Sequence, residues 1–155
     1  MSLLARFMYG ALVWKERRRA RVPRRQPADE SADSAAHLIT GRRGETLAYW
    51  YLRRRGYVVV ARNEPSRGAG GELDIVAWDG PVLAFVEVKS RLTPAQVPPE
   101  DAVTPGQRQR IVQAAEAYLR RLPWRPAGYR FDVVSVSWEP RSGCQVRLVK
   151  DAFRG

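Results

Sequence analysis

The chain has 155 residues, enough for one ordinary domain and too few for two of typical size. A 45% hydrophobic and 28% charged composition describes a soluble globular chain, and a formal charge of +11 points to an anionic partner: nucleic acid or an anionic membrane surface. A single cysteine, Cys144, and a single histidine, His37, exclude an internal disulfide, a Ser-His-Asp triad, a Cys-His pair, a histidine-metal nuclease site and a Cys/His zinc site.

Any enzyme here must therefore work with carboxylates, lysine, tyrosine or a hard metal ion. The cysteine count fits a reducing compartment, and a cytoplasmic location is expected. Nearly all of the basic excess is arginine, and lysine occurs only at positions 15, 89 and 150. Against that background Lys89 marks a place where a compact ammonium that can change its protonation state is needed, rather than a planar guanidinium.

In chain order, residues 3–14 (LLARFMYGALVW) form an apolar run too short to span a bilayer, which needs ~20 residues. A basic run, KERRRARVPRR (15–25), follows, and then a polar stretch, QPADESADSAA, with the character of a linker. Residues 1–39 are expected to be a basic, largely disordered extension with a short apolar helix, or to precede the true start. Peripheral attachment to a membrane surface through residues 1–25 is the sharper alternative.

Domain patterning begins at Thr40 and is expected to continue to residue 155. GRRGETLAYWYLRRRG (41–56) places Leu47, Ala48, Tyr51 and Leu52 on one helical face and ends at Gly56. YVVVARN (57–63) reads as a strand, SRGAGG (66–71) as a loop and ELDIVAWD (72–79) as a second strand. Asp79-Gly80 is a hairpin signal, and VLAFVEVKS (82–90) is the returning strand. After a proline-rich loop (93–101), Thr104 and Pro105 read as N-cap and first helical residue. Ile111, Val112, Ala114, Ala115, Tyr118, Leu119 and Leu122 then make a helical stripe. YRFDVVSVSW (129–138) and CQVRLVK (144–150) are two more strands, the latter at an edge. The predicted order is α-β-β-β-α-β-β, an α/β domain with a mixed sheet.

Within FVEVKSR (85–91), Glu87 and Lys89 interrupt an otherwise apolar strand. Residues opposite one another in a hairpin project to the same face. A two-residue turn at Asp79-Gly80 pairs Trp78 with Pro81 and leaves Glu87 diagonal to Asp74. A four-residue loop sets Asp74 directly opposite Glu87. Either register gathers Asp74, Glu87 and Lys89 on one face with Glu72 nearby, whereas a three-residue loop would separate them. Glu45 shares a helical edge with Ala48 and Leu52 and points toward the same core. Carboxylates packed this closely raise one another's pKa unless a cation sits among them, and Mg²⁺ (or Mn²⁺) is the economical choice. The plainer alternative is a solvated sheet face on which Lys89 merely pairs with Glu87.

GELDIV (71–76) followed by FVEVKSR (85–91) resembles the D…(D/E)-x-K signature of the restriction-endonuclease-like superfamily, PD-(D/E)xK. With GRRGETLA (41–48), Gly56-Tyr57, Arg62-Asn63, RFDVV (130–134) and DAF (151–153), the chain more narrowly resembles the YraN-like bacterial family over about residues 41–153. The resemblance implies a restriction-endonuclease-like αβββαβ core with a mixed central sheet flanked by helices, similar to that of Holliday junction resolvases. It further implies a metal-dependent nuclease acting on DNA, including branched or junction DNA, and leaving a 5′-phosphate and a 3′-hydroxyl.

Carried onto this chain, Asp74 and Glu87 would be metal ligands with the Val88 carbonyl, Lys89 the catalytic lysine and Glu45 the helix acid. Arg42, Arg43, Arg62, Arg91 and Arg108 are the candidate phosphate contacts. Gln107 stands where related sequences place lysine, so it would bring a hydrogen bond without a charge. Nucleic acid, DNA before RNA, is the expected partner, with no small-molecule cofactor and with a homodimer as a secondary reading. A noncatalytic nucleic-acid-binding module built on a degenerate nuclease site is the alternative function.

Overall fold

The computed structural model describes residues 30–66, 71–91, 98–123, 125–139 and 143–155. The apolar and basic runs before residue 30, most of the glycine-rich loop and much of the proline-rich loop lie outside those residues. Helix α1 spans Glu30–Arg54, strand β1 Val58–Pro65, β2 Glu72–Asp79 and β3 Val82–Arg91. A 3₁₀ turn at Pro99–Ala102 precedes α2 (Pro105–Arg121), and β4 (Gly128–Glu139) and β5 (Gly143–Phe153) complete the fold. The element order is the predicted one. Helix α1, however, begins ahead of Thr40 and takes in the alanine-rich end of the segment that reads as linker, since alanine is the strongest helix former.

The five strands form one sheet in sequence order, β1-β2-β3-β4-β5. All neighbours are antiparallel except β3 and β4, which run parallel and are joined through α2. Such a crossover carries its helix over one face of the sheet. Ile111, Ala114 and Ala115 of α2 accordingly pack with Leu83, Phe85, Phe131 and Val133. Leu47, Ala48 and Leu52 of α1 pack with Ile75, Ala77, Ala84, Val86, Val134 and Val136 on the other face. The sheet is thus mixed, and with a helix on each side it is the restriction-endonuclease-like α/β arrangement. Among the described residues, no helix is long and apolar enough to cross a membrane.

Two local features set the site. First, the β2–β3 hairpin pairs Trp78 with Leu83 and Asp79 with Val82, leaving Gly80-Pro81 at the corners. This is the register of the longer-loop reading, closed by one more pair. Gly80 has φ +59° at the first corner, where a turn matched to strand twist requires a positive value, and Pro81 at the second needs no donor. Second, α1 stops cleanly. The Tyr57 amide donates to the Leu52 carbonyl at 3.1 Å and the Gly56 amide to that of Arg53 at 3.2 Å, the pair of bonds that ends a helix and turns the chain into β1.

Candidate active site

Continuing the β2–β3 register one step beyond Ile75↔Val86 brings Asp74 across from Glu87. The strands part there, and the Asp74 side chain takes over the ladder: its Oδ2 accepts the Val88 amide at 2.7 Å. Alternation along β3 puts Glu87 and Lys89 on the face of Leu83 and Phe85, and the Lys89 ammonium lies 2.9 Å from Glu87 Oε1. Both of these side chains are largely buried, at 15% and 19% exposure for Glu87 and Lys89. Asp74, Glu87 and Lys89 are therefore brought together as the hairpin parity predicts.

Glu45 joins from α1. Its approach depends on Gly44, where an added Cβ would lie 1.6 Å from Ser90 Oγ and 2.8 Å from Ser90 Cβ. Only a residue without a side chain lets the helix sit this close to β3. Asn63 holds Glu45 in turn, its Nδ2 donating to Glu45 Oε2 at 2.8 Å. Asn63 has φ +47°, a left-handed conformation that asparagine tolerates better than most residues, at the end of the exposed edge strand β1. Its role was not separable from the sequence. Arg62-Asn63 stands out in the family resemblance, but the sequence names no partner for it.

The electrostatics of the cluster are unbalanced. Burial, and then the negative charge of Glu87, push the Asp74 carboxyl up to about 7; Glu45 adds to this, while the Val88 amide and Lys89 oppose it. Among the described residues Lys89 pairs with Glu87 and acts on Asp74 through its charge alone. Glu72 is exposed at the start of β2. Among the described residues no set of three or more His, Cys, Asp or Glu side chains is closed around a metal position. Asp74 and Glu87 offer an open oxygen-donor pair, with Glu45 further out.

The other predicted positions divide. Arg42 and Arg62 are exposed, and Arg43 and Arg91 half-buried. The Arg62 guanidinium lies 4.8 Å from the centre of the Tyr49 ring. Gln107 is committed to capping α2: its Oε1 accepts the Thr104 amide at 3.1 Å while its own amide donates to Thr104 Oγ1 at 3.3 Å. Thr-x-x-Gln is the signal that could have shown this. Arg108 donates from Nε to the Val103 carbonyl at 3.0 Å and lies over the Phe153 ring.

A second charged cluster occupies the opposite end of β2. Arg130 donates from Nε to Asp132 Oδ1 (2.8 Å) and from Nη2 to Asp132 Oδ2 (3.1 Å), Asp79 Oδ2 (2.6 Å) and the Tyr57 hydroxyl (2.9 Å). Lys150 also donates to Asp79 Oδ2 at 2.6 Å, and the Asp151 amide to Asp132 Oδ1 at 3.0 Å. Asp132 has no exposed surface. Here the pKa logic is reversed: the bond from Lys150, then those from Arg130, hold Asp79 below the usual carboxylate range. Burial, and then Asp132, raise the Tyr57 hydroxyl and keep it a neutral donor.

The family model of the uncharacterised protein family UPF0102 matches residues 44–136, from the glycine that admits α1 through most of β4. The chain belongs to that family. UPF0102, the YraN family, is restriction-endonuclease-like, and the chain is 41% identical over 121 residues to a UPF0102 protein of Koribacter versatilis, covering 78% of this chain and 83% of that one. A UPF0102 protein of Solibacter usitatus is 50% identical over 96 residues (62% and 73% of the two chains), and one of Syntrophus aciditrophicus 42% over 117 residues (76% and 90%).

Proposed function

We propose that this UPF0102 chain is a metal-dependent nuclease that hydrolyses phosphodiester bonds in DNA, branched or junction DNA included, in the cytoplasm. The observation that carries the reading is the unbalanced cluster itself. Asp74 and Glu87 are forced together at a strand divergence, Asp74 is pushed up to about 7, and one lysine is within reach. A fold leaves carboxylates so poorly matched where a cation or a reaction makes use of them.

The donor set fits Mg²⁺ or Mn²⁺, hard ions that take oxygen ligands and often only one or two carboxylates. Asp74 and Glu87 would hold the ion together with the Val88 carbonyl, and it would supply Lewis-acid polarisation of the phosphate and acidify water in the site. The protein's own groups do the rest. The Val88 amide fixes one Asp74 oxygen and leaves the other for the ion. Lys89, steered by Glu87, orients the attacking water and donates to the negative charge that develops on the phosphate. Glu45, held by Asn63, adds a third negative group at the rim.

Cleavage of linear, branched and single-stranded substrates by purified protein in Mg²⁺ and in Mn²⁺ tests the reading, with Lys89→Ala as the control for contaminating nucleases. No cleavage of any substrate in either metal would reject it. The second reading, a nucleic-acid-binding module with a degenerate site, is favoured by the lack of a three-ligand metal cage among the described residues. It expects binding without cleavage, and binding that is unaffected by metal.

A further inference from the structure

One helical turn beyond Glu45, on the same edge of α1, stands Tyr49, and a further turn on stands Arg53; at 1.5 Å per residue each step is about 6 Å. Strand β1 runs the other way alongside, so Asn63 meets Glu45 while Arg62 meets Tyr49. The Tyr49 ring carries the Arg62 guanidinium 4.8 Å from its centre and that of Arg53 at 5.7 Å, and the Tyr49 hydroxyl accepts a bond from Arg53 Nη1 at 3.1 Å. Among the described residues neither arginine is paired with a carboxylate.

Several other cations are paired with carboxylates. Arg130 and Lys150 are saturated by Asp79 and Asp132, Arg121 by Glu64, and Arg120 and Arg154 lie beside Glu116 and Asp151. A place in the last turn of α1, where cations favour the helix dipole, accounts for Arg53 but not for Arg62, which belongs to another element. What the two share is an aromatic ring that orients them, with the donor forks left without an acidic partner.

We propose that Arg62 and Arg53, oriented by Tyr49, form a clamp for the phosphodiester backbone of the substrate strand, leading it along the α1–β1 edge to Asp74 and Glu87. This rests on the nuclease reading and adds to it a direction and a contact chemistry. A guanidinium lying on a ring still presents its planar donors at the edge, the geometry that matches a phosphate, and less conformational freedom is lost when the bond forms. The clamp touches phosphate, so it positions the strand without reading sequence.

The test is binding of fluorescein-labelled oligonucleotides, one single-stranded and one duplex, to the full chain in EDTA over a range of salt concentrations. The double variant Arg53→Gln with Arg62→Gln is compared with Arg120→Gln with Arg154→Gln, which removes the same charge elsewhere. The clamp variant should lose about tenfold or more in affinity at low salt. Its slope of log K against log salt should fall by about 1.4 on the single strand or about 1.8 on the duplex, as two phosphate contacts disappear. The control pair should stay within about twofold of the parent. Arg62→Lys, which keeps charge but not the planar fork, should fall between parent and double variant. Equal losses in the two double variants would overturn the clamp and leave the nuclease reading standing. A parent protein that binds neither oligonucleotide would likewise overturn the clamp, while the cleavage panel decides the nuclease reading separately.

Discussion

Strand β2 carries an aspartate near each end, and the two sit in opposite electrostatic worlds. Asp79 is met by Arg130 and Lys150, and its carboxyl is held low. Asp74 is buried beside Glu87, and its carboxyl is driven up to about 7. The same residue type, five positions apart in one strand, is fully matched in one place and under-matched in the other. Buried charge is costly unless paired, so the matched end reads as structure. The unmatched end, in the same fold and with arginine abundant, is on the proposed reading the place where a cation and a substrate would bind.

That contrast breaks most visibly on the proposed reading through Lys89→Ala. Removing the ammonium should lower cleavage by ~10²–10⁴-fold, while oligonucleotide affinity stays near that of the parent. Undiminished cleavage would show the site to be elsewhere. At the matched end the same kind of deletion should act on folding. Arg130→Met leaves Asp132 without its two-pronged partner in a place with no exposure, and should cost ~3–5 kcal/mol in urea unfolding. Adding Asp132→Asn should recover part of the loss, and a cost below about 1 kcal/mol would show that the network does not hold the sheet together.

The two ends were unequally legible in the sequence. Hairpin parity is a two-residue rule, so either even-length turn places Asp74, Glu87 and Lys89 on one face; the structure chose the longer-loop register and closed it at Gly80-Pro81. Both helical stripes likewise fell where the apolar spacing put them. The Arg130 network was not legible, because Tyr57, Asp79, Asp132 and Lys150 are gathered by the parallel β3–β4 pairing and by the return of β5, which no local pattern encodes. The early start of α1 was hidden because alanine and serine among charges carry no apolar period. The capping box that Gln107 makes with Thr104 was legible as Thr-x-x-Gln but went unread.

A pH experiment sharpens the comparison. Asp74 is raised above its unfolded value, so the native protein holds that proton more tightly than the unfolded chain. The stability this confers is full below about pH 4 and is lost as pH rises through about 7. In EDTA, Asp74→Asn should therefore be more stable than the parent at pH 8, by on the order of 2 kcal/mol, and the difference should vanish toward pH 4. Added Mg²⁺ should stabilise the parent at pH 8 and leave the variant unchanged. A variant less stable than the parent at pH 8 would mean that Asp74 is well matched after all.

The smallest expected effect separates the two things Asn63 does. Its backbone is left-handed, and its side chain donates to Glu45. Asn63→Gly keeps the conformation at little steric cost but releases Glu45, whereas Asn63→Ala loses the hydrogen bond and keeps a Cβ in a region that alanine tolerates less well than asparagine, at a strain of about 1–2 kcal/mol relative to glycine. Chemical denaturation should then find the glycine variant within about 0.5–1 kcal/mol of the parent and the alanine variant roughly 1 kcal/mol below it. If Glu45 matters to the site because Asn63 holds it there, both variants should show the same few-fold loss of cleavage despite their different stabilities. Activity that followed stability instead would assign Asn63 to the architecture of β1 alone.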